Sequence, residues 1–278
     1  MCLIGFNWLS HPRWRLVLAG NRDEFHDRPA RAAGWWPDAP GVFGGRDLEA
    51  GGSWLALDRR GRLAVVTNFR EPGAPPGPRS RGELVSGFVR SDESIDHFAD
   101  RVAERPDDWS GYNLLLFDLS DGGFGQRALY LSNRAPASPV SVAPGLHGLS
   151  NHLLDTGWPK VRLLRQRIER ALQSDAPERL LFEALADPEP APDEQLPATG
   201  VELARERLLS PALIRADGYG TRASTVVLVD HEGRVEFVER SWSPLGDTPV
   251  SEKRASFAFD PPAGVDGPVA PGQDAVGL

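Results

Sequence analysis

The sequence predicts an α+β protein built as a four-layer αββα sandwich of two mostly antiparallel sheets. Three observations point there. Short apolar runs rich in Val, Leu and Ile recur along the chain, most of them joined by tight turns, which is the connectivity of antiparallel pairing rather than of βαβ winding. Helical spacing is concentrated at 83–104 and 159–186, enough to cover the outer faces of two sheets. No internal repeat divides the chain.

In order, residues 2–8 and 14–20 read as strands around the turn Ser10-His11-Pro12-Arg13, and the polar run Asn21-Arg22-Asp23-Glu24 leaves the second strand as a loop. Short extended pieces follow at 35–37 and 42–47. Residues 51–58 and 62–69 form a hairpin closed by Arg59-Arg60-Gly61. The proline-rich run 71–80 is a surface loop. Leu84, Val85, Phe88 and Val89, then Ile95, Phe98 and Val102, carry helical spacing that ends at Pro106. Residues 112–118 and 128–132 pair across a glycine-rich turn, and 145–151 is a strand with a polar tip. Val161, Leu164, Ile168 and Leu172 mark a helix over 159–173; a second helix spans about 177–186, and a short one 201–209 follows the loop 187–200. A last hairpin joins 222–230 to 234–240 through His231-Glu232-Gly233. These elements define one domain over 1–245, followed by a Pro/Gly-rich, partly disordered extension over 246–278.

Composition bounds the function. A net charge of -8 and a pI near 5.3, with no basic block, exclude a nucleic-acid surface. One cysteine cannot form an intrachain disulfide, no targeting signal is visible, and no apolar run approaches the roughly 20 residues of a spanning helix, so a cytoplasmic protein is expected. Oligomeric state is not written in the sequence. Gly218-Tyr219-Gly220 precedes a strand rather than a helix, so it is not a dinucleotide fingerprint. His231-Glu232 lacks a second histidine at zinc-binding spacing, and no metal site is expected.

What remains is chemistry at strand ends. Cys2 is the only cysteine and follows the only methionine. Cysteine is small enough for a preceding initiator methionine to be removed, which would place a free amine and a thiol on one residue. An α-amine titrates at roughly 7.7–8.0, close enough to neutrality to take a proton from a neighbouring nucleophile. Asp23, Asn68, Asn151 and Arg222 also lie at the ends of apolar runs. An acyl-transfer site needs such parts: a group to hold the amine, an amide to stabilise an oxyanion, and a charge to tune the thiol. Each alone is ordinary turn chemistry.

Met1-Cys2-Leu3-Ile4 with Phe6, Asn21-Arg22-Asp23-Glu24, Thr67-Asn68-Phe69-Arg70, Gly148-Leu149-Ser150-Asn151 and Arg222-Ala223-Ser224-Thr225 resemble the NRDE family, also called the transport and Golgi organisation protein 2 family, over roughly residues 1–245. That family in turn resembles N-terminal nucleophile hydrolases of the choloylglycine hydrolase and penicillin V acylase type. The resemblance implies an αββα fold, Cys2 as nucleophile after methionine removal, Asn21 and Asp23 as the matched early motif, Asn68 and Asn151 at the oxyanion and amine, and Arg222 beside the thiol. Arg22 and Glu24 complete the candidate binding set. One position departs: the arginine that opens the hydrolase motif falls on Gly20, so the charge beside the sulfur is either absent or supplied from another direction. The expected function is that of an N-terminal-cysteine amidohydrolase or acyltransferase acting on an amide or thioester, with no required cofactor. The alternative is a non-catalytic carrier of acyl-coenzyme A or haem, with Cys2, His26, His147 and His152 as conceivable haem ligands.

Overall fold

Among the described residues, 2–120, 126–244 and 248–260, the computed structural model opens with six strands: β1 (Cys2–Trp8), β2 (Trp14–Phe25), β3 (Ala30–Trp36), β4 (Ala39–Asp47), β5 (Leu55–Asp58) and β6 (Arg62–Asn68). Helices α1 (Gly82–Arg90) and α2 (Ile95–Ala103) come next. Strands β7 (Tyr112–Asp118), β8 (Arg127–Ser132), β9 (Val140–Ser141) and β10 (Gly145–Leu149) follow, then α3 (Pro159–Leu172), α4 (Pro177–Leu185) and α5 (Leu203–Leu208). The chain closes with β11 (Arg215–Ala216), β12 (Tyr219–Asp230), β13 (Arg234–Trp242) and β14 (Pro249–Ala258).

One sheet runs β10-β1-β2-β12-β13-β14, with β11 on β12; the other runs β3-β4-β5-β6-β7-β8-β9. Neighbouring strands in both are antiparallel. The period-2 pattern of β1 and β2 sorts their side chains between two layers. Ile4, Phe6, Leu16 and Leu18 face the second sheet, where they meet Leu55, Leu57, Val65 and Leu115. Leu3, Val17 and Ala19 face outward, under Leu164, Ile168, Leu181 and Leu185 of α3 and α4. Val85, Phe88 and Phe98 of α1 and α2 cover the far face of the second sheet at Ala64, Leu114 and Leu116. These three cores separate four layers, the αββα order that the strand pattern predicts. Gly5 lets α3 lie against the backbone of β1, since a Cβ there would sit 2.5 Å from Ile168 Cδ1.

The polar motif departs from the expected loop. Asn21–Glu24 is not a loop: β2 continues to Phe25, paired on one side through Cys2↔Arg22 and Leu3↔Asn21 and on the other through Ser224↔Asn21 and Tyr219↔Phe25. Asn21 and Arg22 are paired along both edges and Asp23–Phe25 along the β12 edge, so the ladder to β12 carries the backbone through the polar run and polarity alone does not end the strand. The last hairpin starts earlier than expected for the same reason, at Tyr219. The extension expected from 246 contributes β14 to the edge of the first sheet. The expected boundary at 245, the glycine-rich turn at 121–125 and everything past 260 lie outside the described residues. Among the described residues no helix is long and apolar enough to cross a membrane.

Candidate active site

Cys2 begins β1 and points between the sheets with Ile4 and Phe6, 7% exposed. A buried relay fixes it from the opposite sheet. Tyr130 Oη donates to Asn113 Oδ1 at 2.7 Å, Asn113 Nδ2 to Thr67 Oγ1 at 3.1 Å, Thr67 Oγ1 to the Ser150 carbonyl at 2.7 Å, and Ser150 Oγ to the Cys2 carbonyl at 2.9 Å. The Asp23 backbone N–H donates to the thiol. Burial pushes the thiol up from its ordinary range; the Asp23 charge adds to that, and Arg22 opposes it. The resting residue is a thiol that needs a base.

The alternation along β2 divides its motif between two faces. Arg22 stands directly across from Cys2. Asp23 is 1% exposed, lines the same cavity, and accepts from Thr221 Oγ1 at 2.6 Å. Burial pushes its carboxyl up, against the pull of Lys160 and the Thr221 hydrogen bond. Glu24 also lines the cavity, 3.6 Å from Arg22. Asn21, expected as a binding residue, does not line the cavity. Its Nδ2 donates to the Leu185 and Ala212 carbonyls at 2.9 and 2.7 Å and its Oδ1 accepts from Ser224, so it ties β2 to the helical layer.

The two asparagines beyond β2 also separate. Asn68, at the end of β6, lines the cavity; Asn151, fully buried, does not. Asn151 Nδ2 donates to Asn68 Oδ1 at 2.9 Å and to the Asn68 carbonyl at 3.1 Å. Asn68 is therefore the amide presented to the cavity, and Asn151 is its brace. Arg222 occupies a bulge in β12, between the pairs Thr221↔Asp23 and Ala223↔Arg22. Its Nη1 donates to the carbonyls of Phe25, His26 and Arg28 at 2.7, 3.1 and 3.2 Å, which clasps the loop after β2. It borders the cavity, but its guanidinium is spent on backbone.

Among the described residues, the cations that act on the sulfur are Arg22, Arg81 and Lys160. At Gly20 the fit is close, since a Cβ there would meet the Leu3 carbonyl at 3.0 Å and Ile4 Cγ1 at 3.3 Å. The charge arrives instead from across the strand pair and from the starts of α1 and α3. Arg81 was not legible as a site residue inside its Pro/Gly-rich context. The available signal was a basic residue at a helix N-terminus, where the macrodipole disfavours it. One buried acid and one buried base also escape the sequence reading, Glu239 on the cavity wall and Lys160 on α3. Lys160 lies four and eight residues before Leu164 and Ile168, a lysine in register with the apolar stripe of α3.

The cavity that holds Cys2 measures about 760 Å³. A second, of about 1000 Å³, adjoins it and shares Glu24, Phe25, Asn68 and Arg81. Phe69, Pro72, Val201 and Leu208 give this second lobe an apolar patch, set among the charged side chains of Arg70, Glu71, Arg81, Glu202, Arg205 and Asp217. His26, His147 and His152 do not line the Cys2 cavity. His147 is engaged by Asp155 at 2.7 Å and the Ala143 carbonyl at 2.9 Å, and His152 by Thr156 at 2.9 Å.

Comparison with known proteins gives one family. Residues 1–244 match the family model described as Transport and Golgi organisation 2. The chain is 39% identical over 275 residues to the Transport and Golgi organization protein 2 homolog of Bos taurus, covering 93% of this chain and 99% of that one. It is 35% identical over 257 residues to the Homo sapiens homolog, covering 87% and 93%. The Drosophila melanogaster protein of that name is 29% identical over 264 residues, covering 88% and 93%. Among solved structures, an N-acylethanolamine-hydrolyzing acid amidase ortholog of Caenorhabditis elegans superposes with a TM-score of 0.49 at 11% identity, covering 82% of this chain and 92% of that one.

Proposed function

The chain belongs to the Transport and Golgi organisation 2 family, and we propose that it acts as an N-terminal-cysteine amidohydrolase or acyltransferase on an amide or thioester. The observation that carries this reading is the convergence of Cys2, Arg22, Asp23 and Asn68 on one cavity. After removal of Met1, the Cys2 α-amine takes the thiol proton, directly or through a water, and Asp23 holds the resulting ammonium. The thiolate attacks the substrate carbonyl, and Asn68, braced by Asn151, donates to the oxyanion. Collapse expels the amine or thiol leaving group, which receives the proton back, and leaves an acyl group on the sulfur. Water or a second acceptor then releases it. One such oxyanion donor is worth on the order of 3 kcal/mol in the transition state.

The apolar patch of Phe69, Pro72, Val201 and Leu208 in the lobe beside Asn68 supports an acyl chain on the carbonyl side of the substrate, next to a charged rim that suits a polar head group. A reduced, unpaired thiol is required throughout, which fits a cytoplasmic setting. Burial of the Cys2 thiol, which holds it in the protonated form at rest, also supports the second reading, carriage of acyl-coenzyme A or haem without turnover. The Cys2→Ala variant separates them. Under the catalytic reading it binds an acyl thioester but releases no product. Unchanged product release by Cys2→Ala contradicts the catalytic reading, and absence of turnover in the native chain with retained binding favours carriage.

A further inference from the structure

Strands β6, β7 and β8 turn an apolar face toward the first sheet, and three polar side chains interrupt it. Thr67 and Asn113 stand directly opposite each other, two residues along from the core pair Val65 and Leu115, and Tyr130 stands opposite Leu115. All three are buried, Asn113 fully, and only Thr67 lines the Cys2 cavity. Closing the sandwich does not require them, since apolar groups of the same shape can replace a buried hydrogen-bonded pair at little cost. Their hydrogen bonds admit one direction only. The Ser150 carbonyl can accept but not donate, so it takes the single proton of the Thr67 hydroxyl. Thr67 Oγ1 must then accept from Asn113, which turns Asn113 Nδ2 toward it and leaves Oδ1 for the Tyr130 proton. Tyr130 Oη in turn accepts from the Leu154 backbone N–H at 3.3 Å. The second sheet therefore holds the loop after β10 at two points, Ser150 and Leu154. Within that loop the Ser150 hydroxyl meets the Cys2 carbonyl at 2.9 Å and Asn151 Oδ1 at 3.2 Å, and Asn151 braces Asn68.

We propose that Tyr130 and Asn113 are positioning residues of the Cys2 site: by fixing the direction in which Thr67 donates, they hold Ser150 and Asn151 in place and so set the spacing between Cys2 and Asn68. This role rests on the nucleophile reading given above. Two adjacent residues of one loop hold the nucleophile on one side and the oxyanion donor on the other, so a shift of the loop moves both parts of the site. Without the Tyr130 hydroxyl, the Asn113 amide is free to turn over and present Oδ1 to Thr67. The Thr67 proton then goes to Asn113 and the Ser150 carbonyl loses its tie to the second sheet. A misplacement of about 1 Å between reacting groups can cost about 10²-fold in rate, so the chain acts on the chemistry from outside the cavity.

Tyr130→Phe keeps the ring in the core and removes only the hydroxyl. The maximal rate of Cys2 acylation by an acyl thioester is expected to fall about 10-fold, with the half-saturating donor concentration unchanged. Alkylation of Cys2 by iodoacetamide, which forms no oxyanion, is expected to keep its native rate. Thr67→Val, which removes the donated proton, is expected to lose about 10²-fold in acylation, and Thr67→Ser, which restores it, to stay near the native rate. In an Asn68→Ala background Tyr130→Phe adds no further loss, because the donor it positions is gone. The side-chain amide signals of Asn151 in the 15N-labelled chain give a readout that needs no acyl donor, and Tyr130→Phe is expected to shift them. Native acylation in Tyr130→Phe, a loss that adds fully to that of Asn68→Ala, a parallel change in acylation and alkylation, or unmoved Asn151 signals overturns the proposal. A chain whose Asn151 signals move but which takes an acyl group from no donor supports the positioning chain and overturns the acyl reading.

Discussion

Asn68 can serve as an oxyanion donor because its orientation is fixed from behind. Its Oδ1 accepts from Asn151 Nδ2, which leaves its own Nδ2 as the donor available to the cavity. Asn68→Ala removes that donor and is expected to slow Cys2 acylation about 10²–10³-fold. Asn151→Ala leaves the donor in place but unbraced, and a smaller loss, on the order of 10-fold, is expected. Alkylation of Cys2 by iodoacetamide forms no oxyanion, so its rate should be unchanged in both variants. Comparing acylation and alkylation rates by mass spectrometry checks this; a parallel loss in both assays would mean that the asparagines only hold the fold. The residue types at this site were visible in the sequence, but their division of labour was not. Asn21, Asn68 and Asn151 look alike along the chain, and only the facing of each strand makes one a tether, one the amide that lines the cavity and one its brace.

At the scale of elements, β2 joins the layers as well as bearing the site. Asn21 satisfies two backbone carbonyls and the Ser224 hydroxyl at once, all of them buried. Asn21→Ala leaves those groups without this partner and should lower stability by about 2–3 kcal/mol. Urea denaturation measures the loss, and Cys2 acylation well below the transition should stay at the native rate. An acylation defect without a stability defect would instead put Asn21 in the site. Apolar strands and the two main helical regions were legible because burial imposes their period. The continuation of β2 through a run of polar residues was not, since its cause is pairing to β12, about 200 positions away in the sequence.

For the molecule as a whole, closing the sandwich buries acids as well as apolar surface. Glu239 of β13 is 3% exposed, with its carboxylate accepting from the Ala33 backbone at 2.6 Å and from Thr225 Oγ1 at 3.4 Å. Burial raises its carboxyl above the ordinary range. The native state therefore keeps this proton over a window, beginning at about 4.3, in which the unfolded chain has released it. In that window the native state binds more protons, so stability falls as pH rises through it. Glutamine has no proton to lose. The stability of Glu239→Gln relative to the native chain should therefore grow as pH rises through the window and then level off. Denaturation at a series of pH values tests the sign, and two parallel curves would refute it. The same closure of two sheets brings the start of β1 beside the ends of β2 and β6, which makes Cys2 the meeting point of the fold.

The most direct test of the account is the mass of the N-terminal peptide after the expressed chain is incubated with an acyl thioester. The expected product is a peptide that begins at Cys2, lacks Met1 and carries the acyl group on the Cys2 sulfur, with no adduct in Asn68→Ala over the same short interval. A chain that retains Met1, or a processed Cys2 that takes no acyl group from any thioester or amide donor, would contradict it.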